Sequence, residues 1–510
     1  MHTHHYKRGK FSLVIQLIFL TSFIITNTNA QEAHVKLSKK EALEDFNWLR
    51  FSLEYCHPRL YKFDDKKIVD NRFDSLSNLI GDEINGLDFL SLVSTLNASV
   101  RCGHLYTIPQ GKLEKEVLEK KVLPFYIKIL DNKIYLLNNC SDNTSLSNGS
   151  EILSINGKNS REILIAILPR IAADGYIDTR KISLIERYFY YSFHGFDFYY
   201  HLYLDRSSRF TINYLDYKTK KEMTADLDGI SIDERRNALQ KKYQIDELKW
   251  FKTASPAFEV NEKGSYAALT ISRSFYDQKI DPDFDSTLRS AFGILQSKKI
   301  GNLIIDLRNN EGGSEHQQAE LMSYLYGKPF KLYQNIYVSR LDYRPLKNLI
   351  STTEKDTSRL LDKNEDGWMR KIRDDLWINN YEYYEGLQLQ PPKKDVFRGN
   401  VYVLMNGSCF SSTSALIANI KNTIPAKFIG EESGGLYEGP TGGQTIPIIL
   451  PNSKIMIRIS PNINLGYMYQ KHPVGRGVFP DYPVHYSIGD VLTKKDLEME
   501  LVKKLMQVEK

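Results

Sequence analysis

The sequence predicts a multidomain α/β protein with an N-terminal helical region, a small β-domain and an α/β core. Three observations predict it. Residues 265–326 and 401–429 alternate short apolar runs of β-formers with segments of helical spacing, the pattern of helices layered on a sheet. Residues 121–170 alternate apolar and polar positions between turn residues, as half-buried strands do. Residues 31–100 instead place their apolar positions at helical spacing. The chain has 510 residues, enough for two or three domains and a large core. The expected divisions are an export signal at 1–30, a helical region at 31–120, a β-domain at 121–225 and a connector at 226–260. The core spans 261–490 with an insertion at 331–397, and a C-terminal helix follows at 491–510.

Residues 1–30 read as a secretory signal peptide. Lys7, Arg8 and Lys10 form a basic start, residues 11–25 are apolar, and Thr28-Asn29-Ala30 is a cleavage site. The alternative is a membrane anchor, but residues 11–25 fall short of the roughly 20 that a span needs. The expectation is an exported chain, periplasmic or extracellular, with no stable membrane insertion after cleavage. No cysteine follows the apolar run closely, so no lipoprotein anchor is expected. The net charge is +6, and it falls to +3 without the three basic residues of 1–30, which hold no acid. That is too small to indicate a nucleic-acid partner. The cysteines are Cys56, Cys102, Cys140 and Cys409. Export permits disulfides; Cys56 and Cys102 are the pair to test first, and four free thiols are the alternative.

In chain order, Ser38 caps a first helix and Glu41 completes a capping box, with Ala42, Phe46, Leu49 and Leu53 behind them at helical spacing. Residues 87–96 form another helix, and residues 101–107 break the pattern. Residues 123–129 and 133–137 pair around Asp131-Asn132. The aromatic runs 188–193 and 196–203 read as core, or as the lining of a groove. Residues 210–217 and 222–227 form a hairpin, and 233–249 a charged connector helix. The core opens near Gly264 with a strand at 265–271, a helix at 283–298, a strand at 302–307 and a helix at 315–326. Inside the insertion, residues 362–367 begin like a calcium loop, but position twelve is Arg373 where a bidentate Glu is needed, so no metal is expected. Residues 442–452 and 454–460 are paired strands, and 494–508 is the last helix.

Residues 401–436 organise the core. Residues 401–405 are a buried strand, Asn406-Gly407 breaks it, and a helix starts at 411–413. A serine at a helix N-terminus reads two ways. It is a cap for orphan backbone N–H groups, or it is a nucleophile where those groups and the helix dipole stabilise an oxyanion. Residues 304–313 form a second buried strand that ends in Gly312-Gly313. Cys409 has nothing basic around it and reads as a packed thiol. The sequence holds no G-x-S-x-G elbow, no H-E-x-x-H and no phosphate-binding loop, so no metal, nucleotide or other cofactor is expected.

Together these stretches resemble the S41 peptidases, the tail-specific or C-terminal processing proteases with their tricorn-like relatives. The family's D-x-R-x-N-x-G-G turn matches Asp306 to Gly313. Its F-S-x-x-(S/E) turn matches Phe410-Ser411-Ser412-Thr413-Ser414, and its G-E strand end matches Gly430-Glu431. Residues 477–484 resemble its G-V-x-P-D-x-x-V element, Cys102-Gly103-His104 its C-G-H-T turn, and residues 149–158 the core of a PDZ-like domain. Such domains bind peptides by strand addition. The resemblance implies a serine peptidase core of the ClpP/crotonase-like α/β type that acts on polypeptide substrates through an acyl-enzyme on Ser411. Some members use a lysine as base, but the place 25 residues after Ser411 is Leu436. That leaves His104, which taken alone also reads as a structural histidine. Where tricorn-like members carry a Glu, this chain has His472-Pro473-Val474, so Glu432 is the expected acid and Glu431 a structural residue. The oxyanion hole is expected from the N–H of Gly312 or Gly313 and of Ser412. The alternative is a weak or inactive relative that binds peptides through its PDZ-like domain.

Overall fold

The α/β core of the computed structural model is a six-stranded sheet. Its order is Ala257–Asn261, Tyr266–Thr270, Asn302–Asp306, Asn400–Met405, Lys427–Gly430 and Tyr482–Pro483. The first pair is antiparallel and the others are parallel. Central parallel strands are covered on both faces, so their sequences are continuously apolar. Leu303, Ile305 and Val403 face the helices Phe284–Ser297, Glu315–Leu325 and Ser412–Thr423. Ile304, Tyr402 and Leu404, at the alternate positions, face Val502 and Met506 of the helix Leu497–Val508. These core elements lie within a residue or two of the sequence expectation. The expected last helix at 494–508 is Leu497–Val508, and a short helix that was not expected, Ile488–Leu492, precedes it.

The structure describes residues 34–508 except 190–192, 248, 264, 352–368, 380–383 and 470. The signal at 1–30, the calcium-like start at 362–367 and the first core residue Gly264 lie outside the described residues. No described helix is long and apolar enough to cross a membrane.

The helix Lys39–Cys56 starts at Ser38 with the capping box to Glu41. Three further helices follow it: Lys66–Ser77, Gly86–Ser99 and Gly111–Leu118. Next comes an antiparallel sheet ordered Glu222–Asp228, Arg209–Leu215, Glu151–Ile155, Lys133–Asn139, Phe125–Leu130. The turn Asp131-Asn132 has positive φ at both residues, which suits a tight hairpin. On the outer strand, the Ile129 N–H is already taken by the Glu186 carboxylate at 2.6 Å. The aromatics of Gly195–Tyr203 are helical, and Phe196–Leu202 are buried, as core rather than groove. The connector helix is shorter than expected, Ile232–Tyr243.

One small sheet connects the two ends of the chain. Ile446–Ile449 pairs with Met456–Ile459 as expected, and Tyr106–Ile108 adds as a third strand beside Met456–Ile459. Nothing in the local sequence of Tyr106–Ile108 signals this partner. The insertion contributes Asn335–Val338, Met369–Arg373 and Leu376–Asn379 to another sheet, completed by Asn462–Leu465.

Candidate active site

The strand Asn400–Met405 ends in a turn held from several sides. Cys409 N–H donates to Asn406 O at 2.9 Å, Phe410 N–H to Asn310 O at 3.1 Å, and Gly434 N–H to Cys409 O at 2.8 Å. Ser411 sits on this turn at φ 52°, ψ −125°, a conformation that costs a non-glycine residue about 1–3 kcal/mol and persists only where the surroundings impose it. The helix Ser412–Thr423 begins behind it without a side-chain cap. The Ser411 hydroxyl is therefore not spent as a cap and projects from the turn. It lies 2.9 Å from His104 Nε2, across 307 residues of sequence.

His104 is delivered by the turn before Tyr106–Ile108, whose pairing with Met456–Ile459 sets its height above the core. Its ring stacks on Phe410 at 4.5 Å between centroids. Gly442 packs against the same ring, where a Cβ would come within 3.2 Å of Nε2. Burial pushes the imidazole down to about 4; Asp174 pulls it up and Arg180 pushes it further down. A neutral imidazole with its Nε2 on a serine hydroxyl is a base in place. Leu436, 25 residues after Ser411, is buried.

The site opens into a cavity of about 250 Å³ lined by Tyr106, Arg273, Phe275 and Glu311 as well as Ser411 and His104. Arg180 lies over the other side of Phe410 at 4.2 Å and donates to Glu311 at 2.9 Å. Burial pushes the Glu311 carboxyl up, but Arg180 and Arg187 outweigh it and hold it below the usual range.

The Asp306 motif is a scaffold. Asn310 is buried, donates to Ile271 O at 2.9 Å and accepts the Gly312 N–H at 2.9 Å. Arg308 pairs with Asp306 at 2.7 Å and with Asp496 at 2.9 Å, which ties the C-terminal helix to the turn. Of the expected oxyanion donors, Gly312 N–H is held by Asn310, and Gly313 N–H donates to Ser412 Oγ at 2.7 Å. Ser412 N–H, in the first turn of its helix, has no acceptor among the described residues.

Glu432 is not beside His104. Its carboxylate accepts from Arg476 Nε at 2.9 Å and from the Gly477 N–H at 2.8 Å. The expected acid instead anchors the closing Gly477-Val478 element, where Ser433 N–H also donates to Val478 O at 3.0 Å. The carboxylate that reaches the histidine turn is Asp174, which accepts the Gly103 N–H at 2.7 Å. Sequence reading missed it because its loop carries no spacing signal to His104, and only the fold brings the two together. All four cysteines are buried free thiols, and burial pushes Cys409 up to about 12, so it is not a competing nucleophile. Among the described residues no group of His, Cys, Asp and Glu is arranged to hold a metal ion.

The model of peptidase family S41 matches residues 266–482. No curated protein matches the chain. Mature CPAF shares 14% identity and a TM-score of 0.60, with 92% of this chain and 96% of that chain covered. Mature CPAF complexed with lactacystin gives 14%, 0.59, 92% and 98%. The photosystem II D1 C-terminal processing protease shares 11% identity over 91% of this chain and 97% of that one, at a TM-score of 0.37 that carries no argument. At 14% identity the CPAF structures show a shared fold. His104 lies outside the matched segment, and Ser411 and the Asp306 turn lie inside it. Residues 266–482 thus match the peptidase family S41 model, and the protein is a hydrolase.

Proposed function

We propose that the protein is an exported serine endopeptidase that cleaves polypeptides through an acyl-enzyme on Ser411, with His104 as general base. The observation that carries this reading is the 2.9 Å contact between His104 Nε2 and Ser411 Oγ, made by a buried neutral imidazole. In the first step the Ser411 proton passes to Nε2 as Oγ bonds to the substrate carbonyl carbon and the carbonyl π pair moves onto oxygen. The amine then leaves with the proton from the imidazolium, and water repeats the sequence to release the acid. The Ser412 N–H supports the oxyanion. Gly313 N–H joins it once the oxyanion replaces Ser412 Oγ as its acceptor. A lost donor at such a site typically costs about 3 kcal/mol of barrier.

The reading includes the tricorn-like Ser–His subgroup, because Leu436 removes the lysine base. It also includes a PDZ-like role for the sheet between Phe125 and Asp228, export directed by residues 1–30, and a periplasmic or extracellular site of action. The inactive peptide-binding alternative has no support from the site, where nucleophile and base are in contact. The experiment is Ser411→Ala in the mature chain against unfolded polypeptide. Hydrolysis should fall by at least about 10³-fold while substrate binding persists. Undiminished hydrolysis would remove Ser411 from the chemistry.

A further inference from the structure

The expected acid, Glu432, is committed elsewhere, and Nδ1 of His104 is buried with no hydrogen-bond partner among the described residues. We propose that Asp174 is the positioning acid of His104, an inference that rests on the Ser411–His104 reading. Its carboxylate favours the tautomer with the proton on Nδ1 and stabilises the imidazolium that forms when Nε2 takes the Ser411 proton.

Three observations support it. The loop carrying Asp174 is tied to the histidine turn twice, by Gly103 N–H to Asp174 Oδ1 at 2.7 Å and by Gly175 N–H to Arg101 O at 3.0 Å. Asp174 is 1% exposed, and its second oxygen, Oδ2, is buried without a partner, as is Nδ1 of the neighbouring histidine. Buried polar atoms are nearly always paired, so two orphans beside one turn mark a contact that matters when charge develops. Third, the approach is built in. A Cβ at Gly103 would lie 3.2 Å from Asp174 Oδ1 and 2.7 Å from the Phe410 ring, so only glycine lets both pack on this turn.

The surrounding charges are few. Arg180, over the far side of Phe410, opposes protonation of His104, and the charge of Asp174 favours it. Asp174 also acts on Arg59, Lys62, Cys102 and Tyr106. A purely structural Asp174 would do no more than hold the Gly103 N–H and offset the charges of Arg59 and Lys62. In the proposed step no proton is passed on to Asp174: the proton moves from Oγ to Nε2, the Oγ lone pair forms the new bond, and the two N–H groups of the imidazolium face Asp174 and the departing amine.

Asp174→Asn keeps an acceptor for the Gly103 N–H and removes the charge. We expect a fluorophosphonate to label Ser411 about a hundredfold more slowly in the folded variant. The acid limb of labelling should shift to lower pH, because the group that raised the imidazole is gone, and Asp174→Glu should recover part of the rate. A folded Asp174→Asn with wild-type labelling and an unmoved limb would overturn the proposal. Should that variant not fold, the ¹⁵N imidazole signals of His104 in the wild-type chain decide. Protonation on Nδ1 near neutral pH supports the proposal, and protonation on Nε2 overturns it. A wild-type chain that shows the Nδ1–H tautomer but no labelling would support the Asp174 contact while removing the peptidase reading on which it was built.

Discussion

Ser411 and His104 are each held in a state that an isolated side chain would avoid. Ser411 has φ 52°, which exposes its hydroxyl at the head of a helix. His104 is buried and pushed down to about 4 from an ordinary value near 6.5. The direction matters for catalysis, since only the neutral ring accepts a proton. As pH rises through about 4 the ring loses its charge, so the acid limb of kcat/KM should lie near pH 4 rather than near 6.5. Glu432 should not influence that limb. It is buried against Arg476 and Gly477 N–H, so Glu432→Gln should lower stability by about 1–3 kcal/mol, read by thermal or urea unfolding, with the limb unmoved. A limb that shifts in this variant would return Glu432 to the histidine. At this scale the sequence was informative about types and misleading about partners. Ser411 and His104 were legible because motifs mark them. The carboxylates were not, because Glu432 and Asp174 differ only in what the tertiary fold sets beside them.

Ser411 and His104 are each carried by an element whose place depends on a distant one. The nucleophile turn leans on the Asp306 turn through Phe410 N–H to Asn310 O, and a Cβ at Gly312 would lie 2.7 Å from Phe410 O. The histidine turn depends on Tyr106–Ile108 adding to Met456–Ile459. Helices and strands of the core were legible from apolar periodicity. Three-residue strands such as Tyr106–Ile108 were not, because they are too short to show a period and form only against a partner 350 residues away. Gly103 is the most exacting residue of this element. Gly103→Ala would push its Cβ into Phe410 and toward Asp174, overpacking that costs about 1–3 kcal/mol. Because the clash displaces the ring that supports His104, kcat should fall by about 10²-fold beyond any loss of stability, as small misplacements of reacting groups do. Steady-state kinetics on the folded variant check this, and wild-type kcat would show that the turn tolerates displacement.

Over the whole molecule, the site lies where two separately packed cores meet. Ser411 stands on the sheet whose apolar faces are closed by helices of 284–423 and by the C-terminal helix. His104 stands among residues whose core runs from Phe46 through the β-domain to Ile446 and Ile457. The S41 match covers most of the first core but not its C-terminal helix, and of the second core it takes in Ile446 and Ile457 but not the residues around His104. Alternating strands and helices made the α/β core readable in advance, and the hairpins at 123–137 and 209–228 were readable from their turns. The joining of His104 to Ser411 was readable only through the resemblance, because no local pattern records a contact made across 307 residues. The central claim is that this contact activates Ser411. Its most direct test is to treat the mature chain with a fluorophosphonate, locate the adduct by mass spectrometry and repeat with His104→Ala. The account predicts an adduct on Ser411 in the wild type and its loss in the variant. An adduct on Ser411 that forms equally fast without His104 would contradict it.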